Sequence, residues 1–377
     1  MNATHIAILG RQPELGIVEL ESTLGAEHVM LFGPKAVLLD VPIDIDLYGG
    51  VVKVAQILYD GLVAELPALP LHLGTLGLTS GKTTFAVSAE SRHISPRDVT
   101  AIGIELKRAL REYGSARFVA PKAGTEVTAA QLKFNRVLEK GFELLLVGDR
   151  KRMIIARTVG IQDIDWYSHR DYDRPARSSK VGMLPPKLAK VLVNTTEAPT
   201  VVDPFCGTGV VLQEALLLGR SAVGSDLALE MVTASEQNLN WLVSEVSRSL
   251  PSWSVGEADA RTFVLPKKAI SIVTEGYLGP NLSHSPSAQQ LNTIQAELSG
   301  LYRDSLREWA AQISTGTELA LCVPAWSVNG KWVTLGLVDD LPRLGYTIKV
   351  FKHVQTPILY SRENQVVGRQ LLFLRKI

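Results

Sequence analysis

The sequence predicts an α/β chain, with a doubly wound, mainly parallel sheet in its C-terminal half and a smaller α+β region before it. Three observations carry that expectation. From Thr200 onward, short apolar runs alternate with amphipathic segments at the spacing of β-α-β units. Asp203-Pro204-Phe205-Cys206-Gly207-Thr208-Gly209 sits where the first of those runs gives way to a helical pattern. Charge is also unevenly spread. Lys82 to Lys190 holds 21 Lys and Arg against 12 Asp and Glu, whereas the rest holds 18 against 26. A net charge of +1 therefore hides a basic module suited to a polyanion and an acidic one that is not.

The elements follow in order. In the N-terminal half, Ser95 caps a helix from Pro96 to Tyr113, with Asp98 in its first turn and Gly114 at its end. Val99, Ile102, Leu106 and Leu110 form its apolar stripe. Thr83 to Ala89, Phe142 to Val147 and Met153 to Thr158 read as strands, and polar Asp163 to Lys180 as an irregular connector. A helix from Lys187 to Asn194 follows Pro185-Pro186. Then come strand Thr200–Asp203, a helix from Thr208 to Leu218 stopped by Gly219, strand Ser221–Asp226 and a helix from Leu229 to Val246. Trp253 to Val255 and Ala269 to Thr274 are the third and fourth strands, and Leu291, Ile294, Leu298 and Leu301 recur at helical spacing. Glu318 to Val323 is a fifth strand. A helix is expected near Leu335 to Leu344, and a closing strand pair at Tyr346 to Lys352 and Gln370 to Lys376.

At 377 residues the chain exceeds one typical domain. No basic leader with an apolar run and no membrane-length apolar stretch is evident. Two cysteines, Cys206 and Cys322, exclude a disulfide scaffold, so a cytoplasmic location is expected. Seven scattered histidines without a ligand spacing argue against a metal site.

The strand–glycine–helix junction is a recurring way to hold a small charged molecule. Gly207 and Gly209 let the backbone turn tightly and approach a ligand, and the helix points free N–H groups toward it. Asp203 is placed to accept hydrogen bonds from an ammonium group. Asp226, 23 residues on, is placed to hold two ribose hydroxyls, and Asp259, in Glu257-Ala258-Asp259-Ala260, to meet an adenine amino group. Three acids at successive strand ends fit an adenosine carrying an amino acid, S-adenosyl-L-methionine. A dinucleotide fits less well, because the spacing is not Gly-x-Gly-x-x-Gly and an acid at the first strand end repels phosphates.

The Asp203–Gly209 segment resembles motif I of RNA methyltransferases that carry a THUMP RNA-binding domain, in particular the tRNA guanosine-N2 methyltransferases. Gly182-Met183-Leu184-Pro185-Pro186-Lys187-Leu188-Ala189 resembles the stretch upstream of that motif. Gly10-Arg11-Gln12-Pro13-Glu14-Leu15 with Glu19-Leu20-Glu21 resembles the start of those tRNA guanosine-N2 methyltransferases, and Arg362 to Arg369 is similar to their C-terminal stretch. Gln131, Asn135, Arg170-Asp171 and Arg174-Pro175 are similar to the THUMP region and linker. The resemblance implies an N-terminal α+β domain at 1–74, a THUMP-like domain at 75–162 and a linker at 163–182. A Rossmann-like seven-stranded methyltransferase domain at 183–377 completes it. It also implies Phe205, Cys206, Thr208, Leu227, Ala260 and Pro185 as further cofactor-binding residues.

In this family an Asp-Pro-Pro-Tyr sequence after the fourth strand accepts hydrogen bonds from the target amine, and its aromatic residue stacks on the base. Here the fourth strand ends in Glu275-Gly276-Tyr277-Leu278, so the resemblance assigns catalysis to Glu275 with Tyr277 stacking. The loop departs from its family, leaving two alternatives: methylation of another atom or substrate (another RNA base, DNA or protein), and a catalytically silent RNA-binding protein. Cys206 reads as a small packing residue, and Asn238 as a helix-surface or capping residue. Trp166, Tyr167 and Tyr172 among Arg170, Arg174 and Arg177 suit either phosphates and stacked bases or a packed linker. The implied partner is tRNA, with a small activating subunit left open and no membrane.

Overall fold

A computed structural model describes residues 2–62, 81–177, 183–363 and 365–377. Two compact units result, Met1–Trp166 and Tyr167–Ile377.

The first unit begins with β1 (His5–Leu9), α1 (Pro13–Leu24), β2 (Val29–Leu31), β3 (Ala36–Leu39) and β4 (Val51–Leu62). After β5 (Gly81–Glu90) come α2 (Pro96–Leu110), β6 (Gly114–Val119), α3 (Ala129–Phe134), α4 (Val137–Lys140), β7 (Gly141–Gly148) and β8 (Arg152–Ile161). The Ser95–Asp98 pair forms a reciprocal capping box on α2. All eight strands share one sheet, ordered β2-β3-β1-β4-β8-β7-β5-β6. Strands from 1–74 and from 75–162 therefore pair directly through β4 and β8, and the boundary expected at 74/75 lies outside the described residues. Inside this unit Glu143 is fully buried. It accepts hydrogen bonds from Lys53 at 3.0 Å, Ser88 at 2.5 Å and Thr158 at 2.6 Å, so a costly internal charge is fully satisfied.

The connector differs from expectation. Residues 164–172 form a helix, α5 (Ile164–Tyr172). Buried Arg170 on it pairs with Glu214 at 2.8 Å and lies over the Tyr167 ring, which also receives Lys187 and Lys190. Tyr167 is thus a packed anchor within the second unit, not a stacking platform for bases. Residues 178–182, including Gly182 of the upstream motif, lie outside the described residues.

The second unit continues with α6 (Pro186–Asn194), β9 (Thr200–Asp203), α7 (Val210–Leu217), β10 (Ser221–Asp226), α8 (Leu229–Glu245), β11 (Trp253–Glu257) and β12 (Ile270–Glu275). It ends with α9 (Ala288–Gln312), β13 (Glu318–Val328), β14 (Lys331–Thr334), β15 (Tyr346–Ile348), β16 (Ile358–Tyr360) and β17 (Val367–Lys376). The sheet runs β11-β10-β9-β12-β13-β17-β15, seven strands, with β14 and β16 attached to β13 and β17. Strands β9 to β13 are parallel, and β17 enters antiparallel between β13 and β15. This is the Rossmann-like methyltransferase arrangement. Strand order reverses between β9 and β12, which opens a crevice at their carboxyl ends, the place where open α/β sheets bind ligands. β9 and β12 read as continuous apolar runs because helices cover both faces.

Helix α9 is longer than its spacing alone indicated, and carries Leu298, Tyr302, Leu306 and Trp309 into the core against β12 and β13. Their polar tips are satisfied: Trp309 Nε1 donates to the Ala260 carbonyl at 2.9 Å. The helix expected near Leu335 to Leu344 is only a 3-10 turn over Leu337–Asp340. Gly336 and Gly345, both at left-handed φ, and Pro342 leave too little chain for more. The β13–β14 hairpin was not foreseen, although Asn329-Gly330, both at positive φ, is a strong turn signal. Among the described residues no helix is long and apolar enough to cross a membrane.

Candidate functional site

A cavity of about 490 Å³, within the range of small-molecule sites, opens at the crevice between β9 and β12. Five loops build it, each following a strand or preceding a helix. The first leaves β9 at Asp203, whose side chain is 2% exposed and accepts the Phe205 N–H at 3.1 Å. That bond folds the chain back at once, and Cys206 N–H then docks on the Ser225 carbonyl of β10 at 2.9 Å.

Gly207 has φ +51, and a Cβ there would meet nothing within 4 Å, so its backbone faces open space. Gly209, at φ +82, begins α7 with its Cα pressed toward Ser235; a Cβ would lie 2.4 Å from that hydroxyl. Gly209 therefore shapes the turn and does not line the cavity. Burial drives the Cys206 thiol well above its ordinary range, so it stays neutral and packs.

Asp226 ends β10. Its two carboxylate oxygens accept Gly207 N–H at 2.9 Å and Ala228 N–H at 3.0 Å, fixing its orientation toward the cavity that Leu227 and Ala228 also line. Asp259 lines the same wall, but Arg261 Nε holds its carboxylate at 3.0 and 3.1 Å. That hydrogen-bonded pair, with desolvation opposing, keeps Asp259 below the usual carboxylate range, so an adenine amino group meets an acid already engaged. Ala260 is buried beside it. Pro185 caps the start of α6, its carbonyl accepting the Ala189 N–H at 3.0 Å, and it is not among the residues lining the cavity. Met183 and Leu184 line the cavity in its place.

The fifth loop, after β12, carries Glu275, Gly276, Tyr277 and Leu278, all on the cavity wall. Glu275 is ion-paired with Arg369 of β17. Burial pushes its carboxyl above the usual carboxylate range, and the charge and hydrogen bond of Arg369 oppose that rise. Tyr277 is 48% exposed at the rim, and its carbonyl accepts the Tyr302 hydroxyl at 3.0 Å. The departure from two prolines has a steric cause. Gly276 N–H donates to the Cys322 carbonyl at 3.1 Å, a bond proline lacks, and a Cβ at 276 would lie 2.4 Å from Tyr302 Oη. Tyr302 is buried and cannot yield. We expect Gly276→Ala to destabilise the protein by about 1–3 kcal/mol as an overpacking substitution. An unchanged melting temperature would refute the contact.

Asp203 is the electrostatic centre. Burial raises its pKa to about 7, with the nearby Asp226 and Glu275 charges adding to the rise, while the Thr274 hydroxyl and Phe205 N–H oppose it. A positive group entering the cavity would relieve that frustration. The residues present thus suit a ligand with an ammonium or sulfonium, diol hydroxyls for Asp226 and a flat ring beside Ala260.

Some functional candidates escaped the sequence reading. Arg369, Tyr302 and Leu301 come from distant segments and meet the site only through the sheet and α9. Asn238 is fully buried: it bridges Ala176, through both backbone N–H and carbonyl, to the Thr208 carbonyl at 2.8 Å. In the first unit, Gln131 completes a capping box on α3, and Asn135 accepts Arg117 at 2.8 Å; between them Phe134 is 88% exposed. No cluster that could hold a metal occurs among the described residues.

A protein-family profile described as an RMKL-like methyltransferase domain matches residues 174–275. The tRNA (guanine(10)-N2)-dimethyltransferase of Methanothermobacter thermautotrophicus is 29% identical over 194 residues, which is 50% of this chain and 52% of that protein. A probable tRNA (guanine(10)-N2)-dimethyltransferase of Methanothermococcus thermolithotrophicus is 31% identical over 110 residues, 28% of this chain and 68% of that protein. The chain thus spans about half the length of the first of these relatives. The crystal structure of TrmN from Thermus thermophilus shares the fold across 99% of both chains, with a TM-score of 0.54 at 18% identity.

Proposed function

Because the chain belongs to the tRNA guanine-N2 methyltransferase family, we propose that it methylates the exocyclic N2 of a guanosine in tRNA. S-adenosyl-L-methionine is the methyl donor, supplying a carbon activated by its positive sulfur. The observation that carries the reading is the meeting in one cavity of Asp203, Gly207 and Asp226 with the acid Glu275 and the rim aromatic Tyr277.

Asp203 accepts the ammonium of the bound donor, and Asp226 its ribose hydroxyls. An extruded guanine stacks on Tyr277, at an extrusion cost of a few kcal/mol. The N2 lone pair is delocalised into the ring. Glu275 and a neighbouring backbone carbonyl accept its N–H groups, localise that pair and aim it at the methyl carbon. As the new N–C bond formed, the donor's S–CH3 bond would break and its sulfur would leave as the neutral thioether of S-adenosylhomocysteine; N2 would become positive and the Glu275 carboxylate would take up its proton. Arg369 holds the Glu275 carboxylate in place throughout. Asp259, engaged by Arg261, and the cavity-lining Leu227 and Ala260 bound the adenine end.

The basic stretch from Lys82 to Lys190 supplies contacts to the RNA backbone. Exposed Phe134 shares a surface depression with Lys122, a pairing suited to a base and a phosphate. Binding of tRNA is expected to weaken steeply from 50 to 200 mM salt, by about 10- to 1,000-fold, in a filter-binding titration; salt-independent affinity would contradict a phosphate interface.

The deciding experiment mixes the purified chain with methyl-labelled S-adenosylmethionine and bulk tRNA, followed by digestion to nucleosides. Labelled N2-methylguanosine or N2,N2-dimethylguanosine supports the proposal. A different labelled nucleoside, or tight tRNA binding without incorporation, refutes it.

A further inference from the structure

We propose that Arg174 is the subsite for the α-carboxylate of the bound methyl donor, an inference that rests on the cofactor reading above. Arg174 is 2% exposed, yet its Nε and Nη1 have no hydrogen-bond partner among the described residues. Its Nη2 lies 2.9 Å from Met183 Sδ, a weak acceptor. The Asp171 charge offsets part of the cost of burying this guanidinium, but two of its nitrogens stay without a hydrogen bond, so its surroundings are incomplete as they stand.

Two further observations say where the missing anion belongs. Met183 itself lines the cavity, so the one polar contact of the guanidinium is to a cavity wall. Ala176, two residues on, is clamped by buried Asn238 to the Thr208 carbonyl of the glycine loop. Arg174 itself lies behind the Met183 wall rather than on the cavity lining, in a segment tied to the glycine loop two residues on.

Charge balance points the same way. The described residues lining the cavity include four carboxylates, Asp203, Asp226, Asp259 and Glu275. The one basic residue among them, Arg261, is committed to Asp259. The donor carries an ammonium and a sulfonium, which those acids suit, but also a carboxylate, which they repel. Arg174 supplies the cation the lining lacks, and a planar guanidinium with two free N–H edges matches a carboxylate in both charge and geometry.

The test compares two probes on the full chain by calorimetry: S-adenosylmethionine and its decarboxylated analogue, which keeps the ammonium and sulfonium. Wild type is expected to prefer the carboxylated ligand by about 10- to 100-fold, the usual value of a charge-assisted pair. Arg174→Met should erase that preference while leaving decarboxylated-ligand affinity unchanged, which also reports correct folding. Arg174→Gln, keeping donors without charge, should give intermediate discrimination and decides the matter if the Met variant folds poorly. Equal discrimination in wild type and either variant overturns the inference, as does a wild type that binds both probes equally. A wild type that binds neither overturns the cofactor reading itself.

Discussion

Glu275→Gln is expected to lower methyl transfer by about 100-fold or more while S-adenosylmethionine affinity stays within about twofold of wild type. The amide keeps the side chain's size but not its charge. It can no longer offset the positive charge that develops on N2, nor receive the N2 proton. Single-turnover transfer at saturating tRNA and donor measures the first effect, and calorimetry the second; unchanged turnover would remove Glu275 from the reaction. A stability effect accompanies this. Arg369 is 4% exposed and would lose its ion pair with Glu275, and breaking a buried pair costs about 3–5 kcal/mol. Removing the uncompensated charge as well, in Glu275→Gln/Arg369→Met, should recover much of the melting temperature and none of the activity. Recovery of both would reduce Glu275 to a structural role.

Asp203→Asn is expected to act in opposite directions on the free protein and on its complex. Burial raises the folded carboxyl's pKa to about 7 from an ordinary 3.8. Between about pH 4 and 7 the folded state therefore holds a proton that the unfolded chain has lost, and stability from this group falls as pH rises through that window. Above 7 the penalty is fully present. The amide escapes it, so the ligand-free variant should be more stable than wild type by roughly 2–4 kcal/mol at pH 8 and nearly equal to it at pH 4. Donor binding should show the reverse. A cationic ligand favours ionised Asp203, so wild-type affinity should rise from pH 5.5 to 7.5 with release of a proton. The Asn variant should bind about 100-fold more weakly at pH 8 and show little of that pH dependence. Melting curves at the two pH values and calorimetry in buffers of different ionisation enthalpy check both arms. A variant less stable than wild type at pH 8 would show that the carboxylate is not frustrated.

Local signals account for what was readable in one dimension. The Asp203–Gly209 loop was legible because an acid, two glycines and a helix start are adjacent in sequence, and backbone sterics alone require glycine where φ is positive. The capping box of α2 and the apolar runs of β9 and β12 were legible for the same reason. The turn near Leu335 was misread as a helix because apolar periodicity was weighed above the flanking Gly336, Pro342 and Gly345. The connector was misread because its Arg and Asp looked solvated, whereas Arg170 finds Glu214 in the interior, 44 residues away.

The sequence by itself determined the alternation of strands and helices, the crevice acids and the chemistry of the donor that suits them. All of these depend on contacts within one strand–loop–helix unit. Only the tertiary structure decided that Glu275 is held by Arg369, that Tyr302 demands Gly276, that Arg261 occupies Asp259 and that Arg174 waits beside Met183. Apart from the Asp259–Arg261 turn, those pairings join elements that meet only when the sheet and its helices assemble. Burial, which sets the charge state and cost of each group, does not exist until they do.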